Sequence, residues 1–507
     1  MKKLFNYFFL LLSAAIFVTI EINHYSFSAP KQTIPNRISG ASGSNTTSTS
    51  WFKEAKYGLN VAFFPEIYPQ FKGKDLADGT WNKIVDNFDV KGLVSDVLKT
   101  GSKYLIFSVG QTSGYYTSPS SVFTTTTNTK IGEFVPKRDL VKDIAVALKK
   151  YNIPLLVYVG VEGPITAPAK ITSTFPAKND QADDENRKTF NAMIREWSGR
   201  WKSDVSGWWL DGCYPWVAGL GNTPVGEANI DALITATKFG NKQAISTCNP
   251  SIEIFKPLSV KQDFMAGEEE YFHRYPRGRF IKYKGKQIQW HVMSFLGNNW
   301  SEASSNRYSK RQLVEYVKGA TQLGGVVTID VAVTPNGRIV KNQLEQMAEV
   351  KRVIRNKGKL TSISNLALFK PVYMISNKPG SYELPVNGNT YAHYEFYAVD
   401  GQNTRTAHPA NEYAWSLLVD LREVSKIKRS VVTFPSSTFP THYLISASTD
   451  GLNWKTIVNR KITIGTTYYD NFKQISARYV KVTAVRPDGA NQVGGQMAIS
   501  EFELYDN

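Results

Sequence analysis

The stretch Gly207-Trp208-Trp209-Leu210-Asp211-Gly212 runs from a glycine through three large apolar side chains into a carboxylate and a second glycine. Strands buried on both faces of a parallel sheet have this near-continuous apolar texture. Seven more runs share it: Gly58–Phe64, Lys103–Val109, Pro154–Val159, Gln243–Thr247, Asp263–Ala266, Ile288–Met293 and Val326–Val331. Amphipathic helical patterns lie between them. Leu140, Ile144, Ala147 and Leu148 form one stripe; Leu313, Val317 and Ala320 a second; Leu344, Met347, Val350 and Ile354 a third. Eight such strand–helix units predict an α/β fold, a (β/α)8 TIM-type barrel. A doubly wound open sheet is the alternative, but no Gly-x-Gly-x-x-Gly follows any strand, so nucleotide binding has no support.

Outside the barrel the texture changes at both ends. Lys2 and Lys3 precede an apolar run from Leu4 to Ile20, and Ser26-Phe27-Ser28 offers a small-x-small cleavage site. This predicts a signal peptide over 1–28, removed rather than kept as an anchor, and a secreted or periplasmic protein without a transmembrane segment. Residues 29–50 read as a Ser/Thr/Gly-rich linker. The barrel is expected over 51–362 and an all-β jelly-roll sandwich over 363–507. Its short strands are read at Ser416–Leu421, Ser430–Phe434, His442–Ser448, Tyr479–Val485 and Ile499–Tyr505.

A chain of 507 residues with 42% hydrophobic residues suits two or three domains and excludes wholesale disorder or a polytopic membrane protein. Two cysteines exclude a disulfide scaffold and a Cys-rich metal site. Cys213 and Cys248 read either as a bridge between neighbouring strand ends or as two buried thiols. The six histidines lack metal-ligand spacing, and there is no serine nucleophile elbow. The net charge of +17 falls mostly on the central part of the chain. For an exported protein this suits an anionic glycan or envelope rather than nucleic acid, although many exported proteins are simply basic.

Reactive groups in a barrel sit at the carboxyl ends of its strands. Asp211 ends one strand, and reads otherwise as an N-cap for the next helix. Glu268-Glu269-Glu270 ends another, where adjacent carboxylates repel and raise at least one pKa, as a general acid requires. The alternative is a solvated loop of charge. The cluster leads into His273, Arg274, Arg277, Arg279, Lys282, Lys284 and Lys286, read either as a clamp for sulfate or uronate on the same rim or as a solvated hairpin.

Trp51–Gly58, Arg138-Asp139-Leu140, Leu155–Gly160, Trp209–Gly212, Gly324–Val331 and Pro335–Ile339 together resemble the barrel of glycoside hydrolase family 29, the α-L-fucosidases. The resemblance implies a retaining glycosidase cleaving a terminal sugar, with Asp211 as nucleophile and a glutamate of the cluster as acid/base. Reading forward from Asp263-Phe264 selects Glu268; reading back from Tyr275-Pro276 selects Glu270. Two carboxyls ~5–5.5 Å apart complete such a double displacement without a cofactor. The chain departs from the family where histidines hold the fucose: Ala62-Phe63-Phe64 replaces His-Trp-Gly, and Gly110–Tyr115 replaces Lys-His-His-Asp-Gly-Phe. Gln111, Ser113, Tyr115, Trp290, His291 and Trp300 are expected to rebuild the sugar site, together with Trp209, His273 and Arg274. A glycan-binding barrel without activity and an endo-acting hydrolase of sulfated fucans are the other readings.

The C-terminal part resembles a coagulation factor 5/8 type C (discoidin) domain, as in carbohydrate-binding module family 32. Ala398–Gly401, Val419–Leu421, Ser446–Trp454, Ala477–Val482 and Glu501–Glu503 carry the likeness. It implies glycan binding and a structural calcium near Asp400, Thr406 and Glu501, although strand-end turns explain the same residues. Oxygen ligands suit a hard cation.

Overall fold

A computed structural model describes residues 49–174, 180–214, 224–276, 278–303, 306–359, 365–376, 394–409, 415–486 and 497–507. The expected signal peptide, most of the linker and Arg277 lie outside them. Seven parallel strands form the first sheet: β1 (Tyr57–Val61), β2 (Leu105–Gly110), β3 (Leu155–Gly160), β4 (Val205–Asp211), β5 (Ile245–Cys248), β8 (His291–Phe295) and β9 (Val326–Asp330), in the order β5-β4-β3-β2-β1-β9-β8. Residues 263–269 join its two edges. Asp263 donates its N–H to Ser246 O beside β5, while Met265 and Glu269 donate to Gln289 O and Met293 O, each at 2.9 Å. The ring is therefore closed by an eighth, irregular strand. The irregularity has a cause at Gly267, whose φ of +63° is left-handed and where a Cβ would lie 2.0 Å from His291 O.

Side chains alternate across the ring with period two. Trp208 points outward, its ring 5.7 Å from that of Trp201 on the helix Asp180–Trp201; Trp209 points inward, stacked 5.4 Å from Tyr158. Tyr104, Ile106, Leu156, Tyr158, Trp209, Ile245, Phe264, Ala266, Met293 and Val326 fill the interior, and a larger apolar layer lies between strands and helices. The amphipathic stripes form helices Leu140–Lys149, Lys310–Gln322 and Lys341–Ile354, the first two capped by Asp139 and Ser309.

Before β8 stands an antiparallel hairpin, β6 (Phe280–Tyr283) and β7 (Lys286–Gln289). The apolar run expected to be one strand from Ile288 is thus split between hairpin and barrel. The second domain pairs β10 (Val372–Ser376), β11 (Trp415–Thr433), β14 (Thr467–Arg486), β12 (His442–Ser448) and β13 (Lys455–Lys461) in that order, with β15 (Glu501–Tyr505) on β11. The two strands expected at Ser416–Leu421 and Ser430–Phe434 are one, bent by register shifts between Asp420 and Ser425 and between Ile427 and Arg429. Its core is separate from that of the barrel. Tyr275 Oη donates to Phe369 O at 2.7 Å, and Lys370 pairs with Glu315 at 3.0 Å, joining the domains. Among the described residues, no helix is long and apolar enough to cross a membrane.

Candidate active site

The inward parity that places Trp209 inside the barrel also places Asp211 there, two residues on, at the carboxyl end of β4. Its Oδ1 accepts hydrogen bonds from Gly212 N (2.9 Å), Asn249 Nδ2 (2.9 Å) and Tyr214 Oη (3.0 Å), and its Oδ2 accepts one from Tyr158 Oη. Gly212 has φ +77°, and a Cβ there would meet Glu162 at 2.8 Å, so the residue after Asp211 has no room for a side chain.

Asn249, the first residue beyond β5, serves two acids. Its Nδ2 lies 2.9 Å from Asp211 Oδ1 and 2.5 Å from Glu268 Oε2, so those oxygens are at most 5.4 Å apart. Burial raises the Glu268 carboxyl to about 8, the Asp211 charge adds to the shift, and the Asn249 donor opposes it. Glu253 fixes the segment that carries Glu268. Its N–H donates to Glu268 O at 2.8 Å, and its Oε1 accepts from Glu270 N at 2.8 Å.

Both acids line a cavity of about 400 Å³ at the carboxyl ends of the strands, with Gln111, Trp209 and Trp300 of the expected sugar residues. Gln111 Nε2 donates to Tyr158 Oη at 2.8 Å. Asn60, Glu66, Tyr158, Tyr214 and Asp330 also line it and were missed by sequence reasoning, as was Asn249, which bridges the two acids. Ala62 and Phe64, at the strand end where the chain departs from the family's histidine motif, line it as well. The signal was available for Asp330, which ends its strand as Asp211 does, and for Asn249, the residue just after one. Burial raises Asp330 to about 6, against hydrogen bonds from Ser301 and Asn60.

The other expected residues stand elsewhere. Glu270 is exposed, 3.9 Å from Arg307. Glu269 points outward and is fully buried against Arg274 Nε at 2.6 Å. Burial raises its carboxyl, and His273 and Arg274 hold that rise to about 7. His273 lies 3.4 Å from Glu253. Burial would raise Glu253 too, but His273 and Arg274 bring it down to about 2. Ser113 hydrogen-bonds Glu66 from behind the cavity wall. Tyr115 is core: its hydroxyl donates to Asp75 at 3.0 Å and its ring stacks 4.9 Å from Phe134. His291 is fully buried below the cavity, its Nε2 2.6 Å from Thr328 Oγ1 and its Nδ1 2.9 Å from Met265 O. Trp290, His273 and Arg274 line a different cavity, between the domains.

The basic run therefore does not sit on the rim of the acid pair. Lys284 pairs with Glu227, Lys286 lies 3.9 Å from Asp263 at the start of the closing strand, and Arg279 donates to Gln289 at 2.9 Å. Among the described residues, none of its cations lines the cavity of Asp211. Cys213 and Cys248 are buried free thiols.

In the second domain Asp400 and Glu501 face each other. Burial raises Glu501 to about 10 and Asp400 to about 6, with the Asp400 charge adding to the shift of Glu501. Asp400 Oδ2 is buried without a hydrogen-bond donor, though Arg405 lies 3.5 Å away.

Residues 38–359 match the family model for alpha-L-fucosidase, and residues 383–502 match that for the F5/8 type C domain. No curated protein matches the chain. Among solved structures, a GH29 fucosidase from Ruminococcus gnavus in complex with fucose is similar at 13% identity and TM-score 0.43, over 93% of this chain and 97% of that one. An endo-fucoidan hydrolase of glycoside hydrolase family 107 is similar at 13% identity and TM-score 0.47, over 62% of this chain and 95% of that one. A chitosan-binding module of a Paenibacillus chitosanase/glucanase covers 28% of this chain and 99% of its own, at 23% identity and TM-score 0.23.

Proposed function

The chain belongs to the alpha-L-fucosidase family and is a glycosidase, and from that premise we propose that it hydrolyses glycosides with retention of configuration, using Asp211 as nucleophile and Glu268 as acid/base. What supports this most is the single amide of Asn249, which keeps the facing oxygens of the two acids within 5.4 Å. Retaining enzymes hold their carboxyls ~5–5.5 Å apart, and inverting enzymes ~6.5–9.5 Å apart to admit a water. In the first step Asp211 attacks the anomeric carbon while the Glu268 proton passes to the leaving oxygen. In the second, Glu268 takes a proton from water, which attacks the same carbon and releases Asp211.

The substrate is a glycan met outside the cytoplasm, after removal of residues 1–28. The positive excess of the chain suits an anionic glycan or envelope around the point of cleavage rather than at it. The C-terminal domain binds glycan beside the barrel and raises its local concentration. Asp400 and Glu501 would hold a calcium ion there, and Thr406 is the further ligand the resemblance implies. Two buried carboxylates and an undonated oxygen fit a hard cation, whose charge would lower both pKa values.

The test is the anomeric form of the first product, read by proton NMR from an aryl α-L-fucoside or the best aryl glycoside of a panel. Retention is expected. Inversion would require a water between Asp211 and Glu268 and would overturn the assignment.

A further inference from the structure

Three polar residues of the cavity take no part in the chemistry just described. Asn60 and Asp330 stand side by side on β1 and β9, where Asn60 Nδ2 donates to Asp330 Oδ1 at 2.7 Å. That bond turns Asn60 Oδ1 the other way, and this atom is buried without a donor, on a residue only 5% exposed. Glu66, just beyond β1, also lines the cavity, its carboxylate partly held by Thr112 at 3.4 Å and by Ser113. Buried acceptors left without a donor cost stability unless a ligand supplies one. The charged residues lining this cavity are Glu66, Asp211, Glu268 and Asp330, with no Lys, Arg or His beside them among the described residues.

We infer that Asn60, Glu66 and Asp330 form an acceptor wall that determines specificity, admitting a sugar that presents hydroxyl or ammonium donors and carries no negative charge. This rests on the glycosidase reading only for the site it names. A sulfate or carboxylate brings acceptors to a wall of acceptors, and meets uncompensated like charge in a poorly hydrated space. A hydroxyl donates one hydrogen bond to such a wall and an ammonium three. Anionic groups on the substrate therefore lie beyond the cavity.

The test is direct binding to the full chain carrying Asp211→Asn, by calorimetry and ligand-observed NMR. The probes are methyl glycosides of common hexoses and 6-deoxyhexoses in unmodified, amino-substituted, sulfated and uronate forms. Unmodified or amino forms should bind at least tenfold more tightly than any sulfated or uronate form. Preference for an amino form that fades as its ammonium deprotonates identifies that donor; preference for the unmodified form identifies hydroxyls. Adding Asp330→Asn or, at the half-buried position, Glu66→Gln should weaken the best ligand roughly tenfold or more. Equal or tighter binding of an anionic form, binding indifferent to both substitutions, or no binding by any probe overturns the wall. Binding without turnover by the unsubstituted enzyme would overturn the glycosidase reading instead and leave the wall standing.

Discussion

Tyr158 donates its hydroxyl to Oδ2 of Asp211, on the side of the carboxylate that Asn249 does not touch. The phenol is itself fixed by stacking on Trp209 and by the Gln111 amide. Asp211 is thus held from both oxygens in one rotation. Tyr158→Phe removes one hydrogen bond to a charged group and should lower kcat roughly 10–100-fold with little change in KM. Steady-state kinetics on an aryl glycoside checks it; an unchanged kcat would mean that Tyr158 only packs.

Asp211→Asn keeps the shape of the site and removes the attacking oxygen. Hydrolysis should fall by roughly 10^4-fold or more, as for other nucleophile deletions. Glycan binding should survive, as measured by calorimetry. Azide added to a smaller variant, Asp211→Gly, should restore turnover of activated aryl glycosides and release a glycosyl azide of inverted configuration.

Glu268 must carry its proton for the first step, and it does so below about pH 8. Rates on substrates with poor leaving groups should fall as pH rises through that value, and Glu268→Gln should abolish the limb. Asn249 stabilises the charged form of Glu268, so Asn249→Ala should move the limb to higher pH while lowering kcat. A merely structural role for Asn249 would lower activity without moving the limb. The same shift fixes a stability effect. A glutamate raised above its unfolded value loses stabilisation as pH rises from about 4.5 to 8. Glu268→Gln should therefore melt higher than the parent at pH 8 and no differently at pH 4.

Arg274 is one of the groups that hold the fold, paired with Glu253 and Glu269. It is 11% exposed and pairs with a fully buried Glu269. Arg274→Ala leaves that carboxylate without its partner and should cost about 3–5 kcal/mol in unfolding experiments. It should weaken neutral and anionic glycan binding alike, only as far as the fold loosens.

Calcium should raise the melting temperature of the second domain, and Glu501→Gln should abolish the gain, as read by differential scanning calorimetry with and without chelator. An equal gain in both proteins would remove Asp400 and Glu501 from any cation site.

The barrel was legible because its strands are apolar runs whose ends mark the mouth, and Asp211 could be read from position alone. The choice between Glu268 and Glu270 could not. Both have the same parity in the closing strand, and only the pairing of Glu268 with Met293 shows which one still lies inside the ring. Tyr115 and His291 looked like sugar ligands because polar tips on aromatic rings serve both purposes; their partners, Asp75 and Thr328, are far away in sequence. The basic run misled for a related reason. Its counter-charges, Glu227, Glu253, Asp263 and Glu269, come from three segments, and the run of cations alone carries no sign of which of them it meets. Strand β11 looked like two because its bends expose polar residues in its middle.

Glu253 grips the chain just after the acid, through Glu268 O and Glu270 N, and is itself gripped by Arg274 at 3.0 Å through its own carbonyl. The proton donor is consequently mounted on a bracket, not a hinge. Glu253 does not line the cavity, so it sets the position of Glu268 from outside the space a sugar would occupy.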